Sequence, residues 1–298
     1  MKLLALVEQA AARLQEAGVH FGHGTSNAFD EAAWLVLWRL GLPLDALDDE
    51  AERITSADEQ AQVQALVQER ITTRRPAAYL TGEAWLQGVP FFVDERVIIP
   101  RSLIAEPLAE GSFDAWLHPQ TQQVLDLCTG NGSLAVLAAL AWPEVQVAAA
   151  DLSTEALAVA AKNVARHGLQ DRITLHQGDG LAAVANRRFD LVLCNPPYVN
   201  SSSMAALPPE YRAEPALALA GGDDGMDFIR RLLAALPQHL NDEGVLVLEI
   251  GHERAYFEAA FPALEVVWLS TSAGDDQVLL ITAEALRQTG ALPAYENP

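Results

Sequence analysis

The stretch FDLVLCNPPYVN, residues 189–200, runs as an apolar strand and stops at Asn195-Pro196-Pro197-Tyr198. Pro196 steers Asn195 toward an extended backbone. Two prolines fix two φ angles and withdraw two backbone donors, so the turn presents carbonyl oxygens without competing N–H groups. The Asn195 side-chain oxygen and the neighbouring carbonyl then offer two acceptors pointing the same way, which is what an –NH2 group needs. A planar amide or base amine is a poor nucleophile because its lone pair is delocalised. Accepting hydrogen bonds from both N–H groups orients the nitrogen and supports the charge it gains as it becomes tetrahedral. Preorganised groups of this kind are each typically worth ~3–4 kcal/mol in a transition state. No strong base is required, since the nitrogen becomes acidic once it carries an extra group. Tyr198 adds an aromatic face for a planar partner. A merely rigid turn with a core tyrosine would explain the prolines but not the amide.

A second constellation lies upstream. In QQVLDLCTGNGSLA, residues 122–135, an apolar strand reaches Asp126, a tight loop follows, and a helix starts near Ser133. In a doubly wound sheet, ligands sit at the carboxyl ends of strands beside such a loop. Gly130 and Gly132 allow close approach of backbone N–H groups, and the helix start favours negative charge. A structural turn would carry the same glycines. The next strand, VQVAAAD, ends in Asp151, about 20 residues on, where a carboxylate accepts from ribose hydroxyls. GDG after the third strand puts Asp179 beside the same crevice. Each acid could equally cap a helix or sit in an exposed turn. Three such features on three successive strand ends point to a nucleoside-containing cofactor. The G-x-G-x-x-A spacing of Gly130, Gly132 and Ala135 does not exclude a dinucleotide.

These residues need a scaffold, and the pattern supplies one. QVLDLC, VQVAAAD, ITLHQ, FDLVLCN, GVLVLEI and VVWL are short apolar runs, followed by a last strand in DQVLLITA. SLAVLAALA, TEALAVAAKNVARHG and MDFIRRLLAALPQHL separate the earlier ones with helical periodicity. Such alternation predicts an α/β fold, a mostly parallel sheet with helices on both faces. Residues 1–77 read differently. Asn27-x-x-Asp30 opens a helix that Gly41 and Pro43 stop, and Ser56 with Glu59 forms a capping-box pattern. A small helical bundle is expected there, followed over 78–100 by a β-hairpin connector around Gly82 and Gly88.

The chain has 298 residues, half of them hydrophobic, and a net charge of −21. That charge opposes any mode of binding nucleic acid through its phosphates, and it suits either a basic protein partner or simple solubility. Cys128 and Cys194 are the only cysteines and show no metal or redox spacing, so no metal is expected. Residues 1–14 read as the start of an amphipathic helix rather than a signal peptide. The apolar run LAVLAALAW falls far short of the ~20 residues of a membrane span. A cytoplasmic setting with no membrane contact is expected.

Together the glycine loop, Asp151, Asp179 and Asn-Pro-Pro-Tyr resemble the class I S-adenosylmethionine-dependent methyltransferases that modify planar NH2 groups. More closely, nearly the whole chain is similar to the protein N(5)-glutamine methyltransferases of the HemK/PrmC/PrmB group. The similarity runs through AYLTGEAWLQGVPFFVDERVIIPRS, DLCTGNG, NPPYV, GGDDGMDFIRRLL and LVLEIG. It implies a Rossmann-like catalytic domain over 101–298 that binds S-adenosyl-L-methionine and releases S-adenosyl-L-homocysteine, with a helical substrate-recognition domain over 1–77. It implies that Asp126, Cys128, Thr129, Gly130, Asn131, Gly132, Asp151, Asp179, Gly180 and Asn195 meet the cofactor. Cys128 stands where many members of the group carry Gly. It further implies that Asn195, Pro196, Pro197 and Tyr198 hold the acceptor glutamine, with Asn195 and Pro196 catalytic.

Two stretches indicate the branch. Residues 100–106, PRSLIAE, depart from the P-R-P-x-T-E of the release-factor enzymes. GHGTSNAFDEAAWLVL, residues 22–37, resembles the branch that modifies a glutamine of large-subunit ribosomal protein L-three. A release-factor glutamine methyltransferase is the nearest alternative. An amino-methyltransferase acting on DNA would need base flipping and phosphate contacts, against a chain whose only lysines are Lys2 and Lys162. A non-catalytic assembly factor would not need Gly130, Gly132, Asp151 and Asn195. His23, between two glycines, reads as a turn or docking residue.

Overall fold

The computed structural model describes residues 1–289. The chain opens with α1 (Leu3–Glu16), α2 (Ala28–Arg39), a single turn α3 (Leu47–Glu50), α4 (Ala57–Thr73) and a short α5 (Ala77–Thr81). Asn27 caps α2 by accepting from the Asp30 N–H, and Ser56 with Glu59 closes the capping box of α4. These helices pack Leu3, Leu6, Leu14, Leu35, Val36 and Val67 into a core of their own.

The hairpin, β1 (Glu83–Leu86) with β2 (Val89–Phe92), is shorter than the sequence suggests, because residues 77–81 form α5. Ala78 and Tyr79 are buried there and the Tyr79 hydroxyl donates to the Val97 carbonyl, so tertiary burial overrides the strand propensity of this segment. Asn163 fastens the hairpin to the α/β unit. It accepts from the Phe92 N–H at 2.7 Å and donates to the Phe92 and Asn131 carbonyls at 2.9 and 2.8 Å.

Beyond α6 (Ala105–Glu110) the chain alternates: β3 (Gln123–Leu127), α7 (Ser133–Ala141), β4 (Gln146–Asp151), α8 (Thr154–Arg166), β5 (Ile173–Gln177) and β6 (Phe189–Cys194). Then come α9 (Ser201–Ala206), α10 (Asp227–Ala235), β7 (Leu240–Glu249), α11 (Arg254–Ala260), β8 (Val267–Thr271), β9 (Gly274–Thr282) and α12 (Ala283–Gln288). The seven strands order as β5-β4-β3-β6-β7-β9-β8, parallel as far as β7 and antiparallel at β9 and β8. Strand parity divides the core. Leu125, Leu127, Val192 and Leu246 pack toward α10 and α12, whereas Val124, Leu191, Leu193 and Val247 pack toward α6 and α7. The order reverses between β3 and β6, and a ligand crevice belongs at their carboxyl ends.

A long connection between α9 and α10 is held by two of its own buried carboxylates, Glu210 against the helical unit and Glu214 against Arg101 and Ile99. Glu210 accepts from the His20 N–H at 3.1 Å and lies 3.5 and 3.4 Å from the Arg70 and Arg74 guanidinium nitrogens. Arg70 is itself buried and donates to Glu31 at 2.8 Å. Glu214 accepts two parallel bonds from Arg101, at 2.6 and 2.8 Å, and one from the Ile99 N–H at 3.0 Å. His23 lies 3.6 Å away, too far for a hydrogen bond, and packs tilted against Tyr211 at 4.2 Å between centroids. It is a docking residue, and burial pushes its pKa down, so the ring stays neutral.

Burial pushes the Glu214 carboxyl up, but the doubly bonded Arg101 guanidinium outweighs it and holds it down at about 2. Because the folded value lies below the ordinary 4.5, Glu214 contributes stability above that pH and loses it as pH falls toward 2. Glu214→Gln is therefore expected to cost about 3 kcal/mol at neutral pH, by leaving Arg101 without its counter-charge. Urea unfolding midpoints should show that gap narrowing between pH 5 and pH 3. A gap that does not change with pH would remove the ion pair as its cause.

Candidate active site

The carboxyl ends of β3, β4 and β6 open onto a cleft of about 620 Å³. It is lined by Cys128, Gly130, Asp151, Asp179, Gly180, Phe228, Asn195 and Pro197. A second chamber of about 340 Å³ is lined by Pro196, Tyr198, Arg101, Tyr211, Glu249 and Glu253. Ile98, Asn195 and Ala218 belong to both. Asn195 thus stands in the wall between two compartments. Its side-chain amide has no hydrogen-bond partner among the described residues, and no described backbone N–H donates to the Pro196 carbonyl. Both expected acceptors are free of internal partners.

The glycine loop is held between two acids. Beneath it, Asp126 accepts from the Thr129 hydroxyl at 2.5 Å and from the Ala135 N–H, in the first turn of α7, at 2.9 Å. Across from it, Asp151 accepts from the Gly130 N–H and the Ser153 N–H, both at 2.9 Å. The cap reading of Asp151 is therefore partly right. Each of its oxygens keeps a second lone pair, so the carboxylate can also take two ribose hydroxyls. Burial pushes its pKa up despite the backbone donors.

Four residues expected at the cofactor do not line the cleft: Asp126, Thr129, Asn131 and Gly132. Asp126 shares the parity of Val124, so its side chain turns toward α7 and supports the loop from below. Its carboxyl is pushed up to about 7 by burial, with two donors opposing. Gly132 has φ +82°, and a Cβ there would lie 3.2 Å from the Ala160 Cβ, so it serves the packing of α7 on α8. A Cβ on Gly130 would instead meet nothing within 4 Å, and this glycine does line the cleft. Cys128 has φ +62°, a conformation that glycine adopts without cost. Contact with Cys194 and burial push its thiol well up, so it is a neutral wall.

Asp179 is exposed and pairs with Arg231 at 2.9 Å at the cleft rim. Phe228, Ile98 and the segment 215–222 complete the walls, and none of these carried a sequence expectation. Glu249 was also missed, although its place in LVLEIG, as an acid ending a strand, is the signal that marked Asp151. Fully buried, it accepts from the Tyr198 hydroxyl at 2.9 Å, the Ser102 hydroxyl at 2.6 Å and the Leu103 N–H at 2.9 Å. Burial pushes its pKa up against these donors. Burial and the adjacent Glu249 carboxyl likewise push the Tyr198 phenol well above its ordinary value, so it remains a donor. The ring lies flush against the backbone at Gly251, where a Cβ would come within 2.5 Å of it.

A cleft of this size, with an open glycine edge, a carboxylate across from it and apolar walls, fits an adenosine-bearing methyl donor. The seven-stranded sheet and its cleft define a class I S-adenosylmethionine-dependent methyltransferase. Residues 112–207 match the family model described as a methyltransferase small domain, and residues 5–82 match the PrmC N-terminal domain. The chain is 56% identical over 283 residues to the ribosomal protein uL3 glutamine methyltransferase of Bordetella pertussis, covering 94% of this chain and 95% of the relative. It is 52% identical to the protein of the same name from Burkholderia pseudomallei, over 94% of both chains. The corresponding protein of Bradyrhizobium diazoefficiens is 45% identical over 95% of this chain and 91% of its own. The chain belongs to the ribosomal protein uL3 glutamine methyltransferase family.

Asp151→Ala removes the acceptors available to the ribose and the brace on Gly130. It is expected to weaken S-adenosylmethionine binding roughly tenfold or more. Calorimetry giving an unchanged dissociation constant would refute the ribose role.

Proposed function

We propose that the protein methylates the N(5) amide nitrogen of a glutamine in ribosomal protein uL3. The observation that carries this reading is Asn195, unpartnered and shared by the walls of two compartments. The names of the relatives support the acceptor, and the charge of −21 suits a basic protein as partner. Residues 1–77 act as the recognition unit for that protein, and residues 101–298 carry the chemistry. Among the described residues no helix is long and apolar enough to cross a membrane, and no cluster of side chains could hold a metal ion.

Bound S-adenosylmethionine would supply an electrophilic methyl group whose bond to sulfur breaks as the nitrogen takes it, leaving S-adenosylhomocysteine. Asp151 would hold the ribose, Gly130 would let the backbone lie close, and Asp179 with Gly180 would border the base. In the second chamber the Asn195 Oδ1 and the Pro196 carbonyl accept the two amide hydrogens. This fixes the nitrogen facing the cleft and favours its loss of planarity. Pro197, with its fixed φ, keeps the Asn195 and Pro196 oxygens aligned. Tyr198, anchored by Glu249, packs its ring on the flat amide. The amide proton becomes acidic as the nitrogen bonds to carbon, so the Asn195 and Pro196 oxygens need only hold it until solvent takes it.

Asn195→Ala should bind the cofactor normally yet lose turnover by roughly a hundredfold or more. Near-normal turnover would sink the two-acceptor mechanism. For the acceptor, mass spectrometry of a deletion strain should find uL3 lacking one methyl group on glutamine. Unchanged uL3 with unmethylated release factors would move the enzyme to the other branch.

A further inference from the structure

We propose that Arg101 binds the acceptor protein, donating to a main-chain carbonyl oxygen beside the glutamine. This rests on the function proposed above and adds a substrate contact to it. Arg101 lines the second chamber with Pro196 and Tyr198, and that chamber shares Asn195 with the cofactor cleft.

The guanidinium is fixed on two sides. Glu214 takes one hydrogen from each terminal nitrogen, and the Ile99 carbonyl takes the other Nη1 hydrogen at 3.2 Å. The Tyr211 ring lies 5.4 Å from the guanidinium carbon and is backed in turn by His23. A guanidinium has five N–H donors. Three are engaged, and no described residue accepts from Nε–H or from the second Nη2–H. An arginine held this rigidly loses little further entropy on forming a bond, which suits it to binding.

The class of ligand follows from what the chamber already satisfies. Glu249 accepts three bonds, and Glu253 accepts from Asn200 at 2.7 Å, so the acids there have partners. The two N–H groups that no described residue accepts from are open to an oxygen of the acceptor. A carboxylate is a poor choice for a chain of net charge −21. The reacting amide's own oxygen is excluded on chemical grounds, because a cation bonded there would draw electron density from the nitrogen that must attack. A peptide carbonyl next to the glutamine meets both conditions.

The test must separate binding from support, because Arg101→Met alone strands the Glu214 carboxylate. The paired variant Arg101→Met/Glu214→Gln removes both charges together. With full-length enzyme, saturating S-adenosylmethionine and purified uL3, Arg101→Met should lower Tm and raise KM roughly tenfold or more. The paired variant should recover Tm while KM stays high, with kcat less affected and the cofactor dissociation constant unchanged. A folded paired variant with wild-type KM would overturn the proposal and leave Arg101 a purely structural partner of Glu214. Arg101→Lys keeps the charge without the fork and should fall between the two. If tritiated methyl from wild-type enzyme labels a lysate protein other than uL3, the functional reading fails. The same KM comparison on that protein then decides the role of Arg101.

Discussion

β3 and β6 lie side by side with Leu127 opposite Cys194, and both chambers depend on that pairing. Because the two strands are parallel and end together, the glycine loop that follows one and the Asn-Pro-Pro-Tyr turn that follows the other emerge at the same height. A shift of one residue in β6 would turn Asn195 toward the opposite face of the sheet and separate the compartments it joins. The register is secured from both sides of the sheet, by Leu125 and Val192 packing toward α10 and by Val124 and Leu191 packing toward α7. The reactive geometry is thus a consequence of core packing several residues away.

Three buried carboxylates carry that order from the sheet into the loops. Asp126 holds the glycine loop to the start of α7, Glu249 holds the Tyr198 ring to the Ser102 turn, and Glu214 holds the 208–216 segment to Arg101. Each satisfies its lone pairs with two or three donors, the condition under which a buried acid is tolerable. Their ionisation differs with the donors. Glu214, facing a guanidinium, is held at about 2, whereas Asp126, facing a hydroxyl and an amide, rises to about 7. One works as a charge and the other as a hydrogen-bond hub.

Much of this was legible in the residue pattern, because strand ends and caps are local events. Every sheet strand from β3 to β9 falls on an apolar run, and Asn27 and Ser56 cap the helices they precede. The chemistry of Asn195 followed from side-chain types and proline geometry alone. What could not be read was anything set by contact across the chain. The resemblance places Asp126 at the cofactor, whereas its parity turns the side chain under the loop. Gly132 looked like a ligand-facing glycine, yet Ala160 is its reason. Glu210, Glu214 and Arg101 carry no local signature, since their charged partners lie more than a hundred residues away.

The ion pairs at Glu210 and Glu214 also limit how the enzyme can be taken apart. The loop that walls both chambers is shaped partly by Arg70, Arg74 and His23, so the helical unit is not an interchangeable adaptor. A chimera given the helical unit of a distant homologue would inherit a new docking face together with a slack acceptor chamber unless those side chains came with it. The helical unit and the loop that walls both chambers are therefore inherited as one piece.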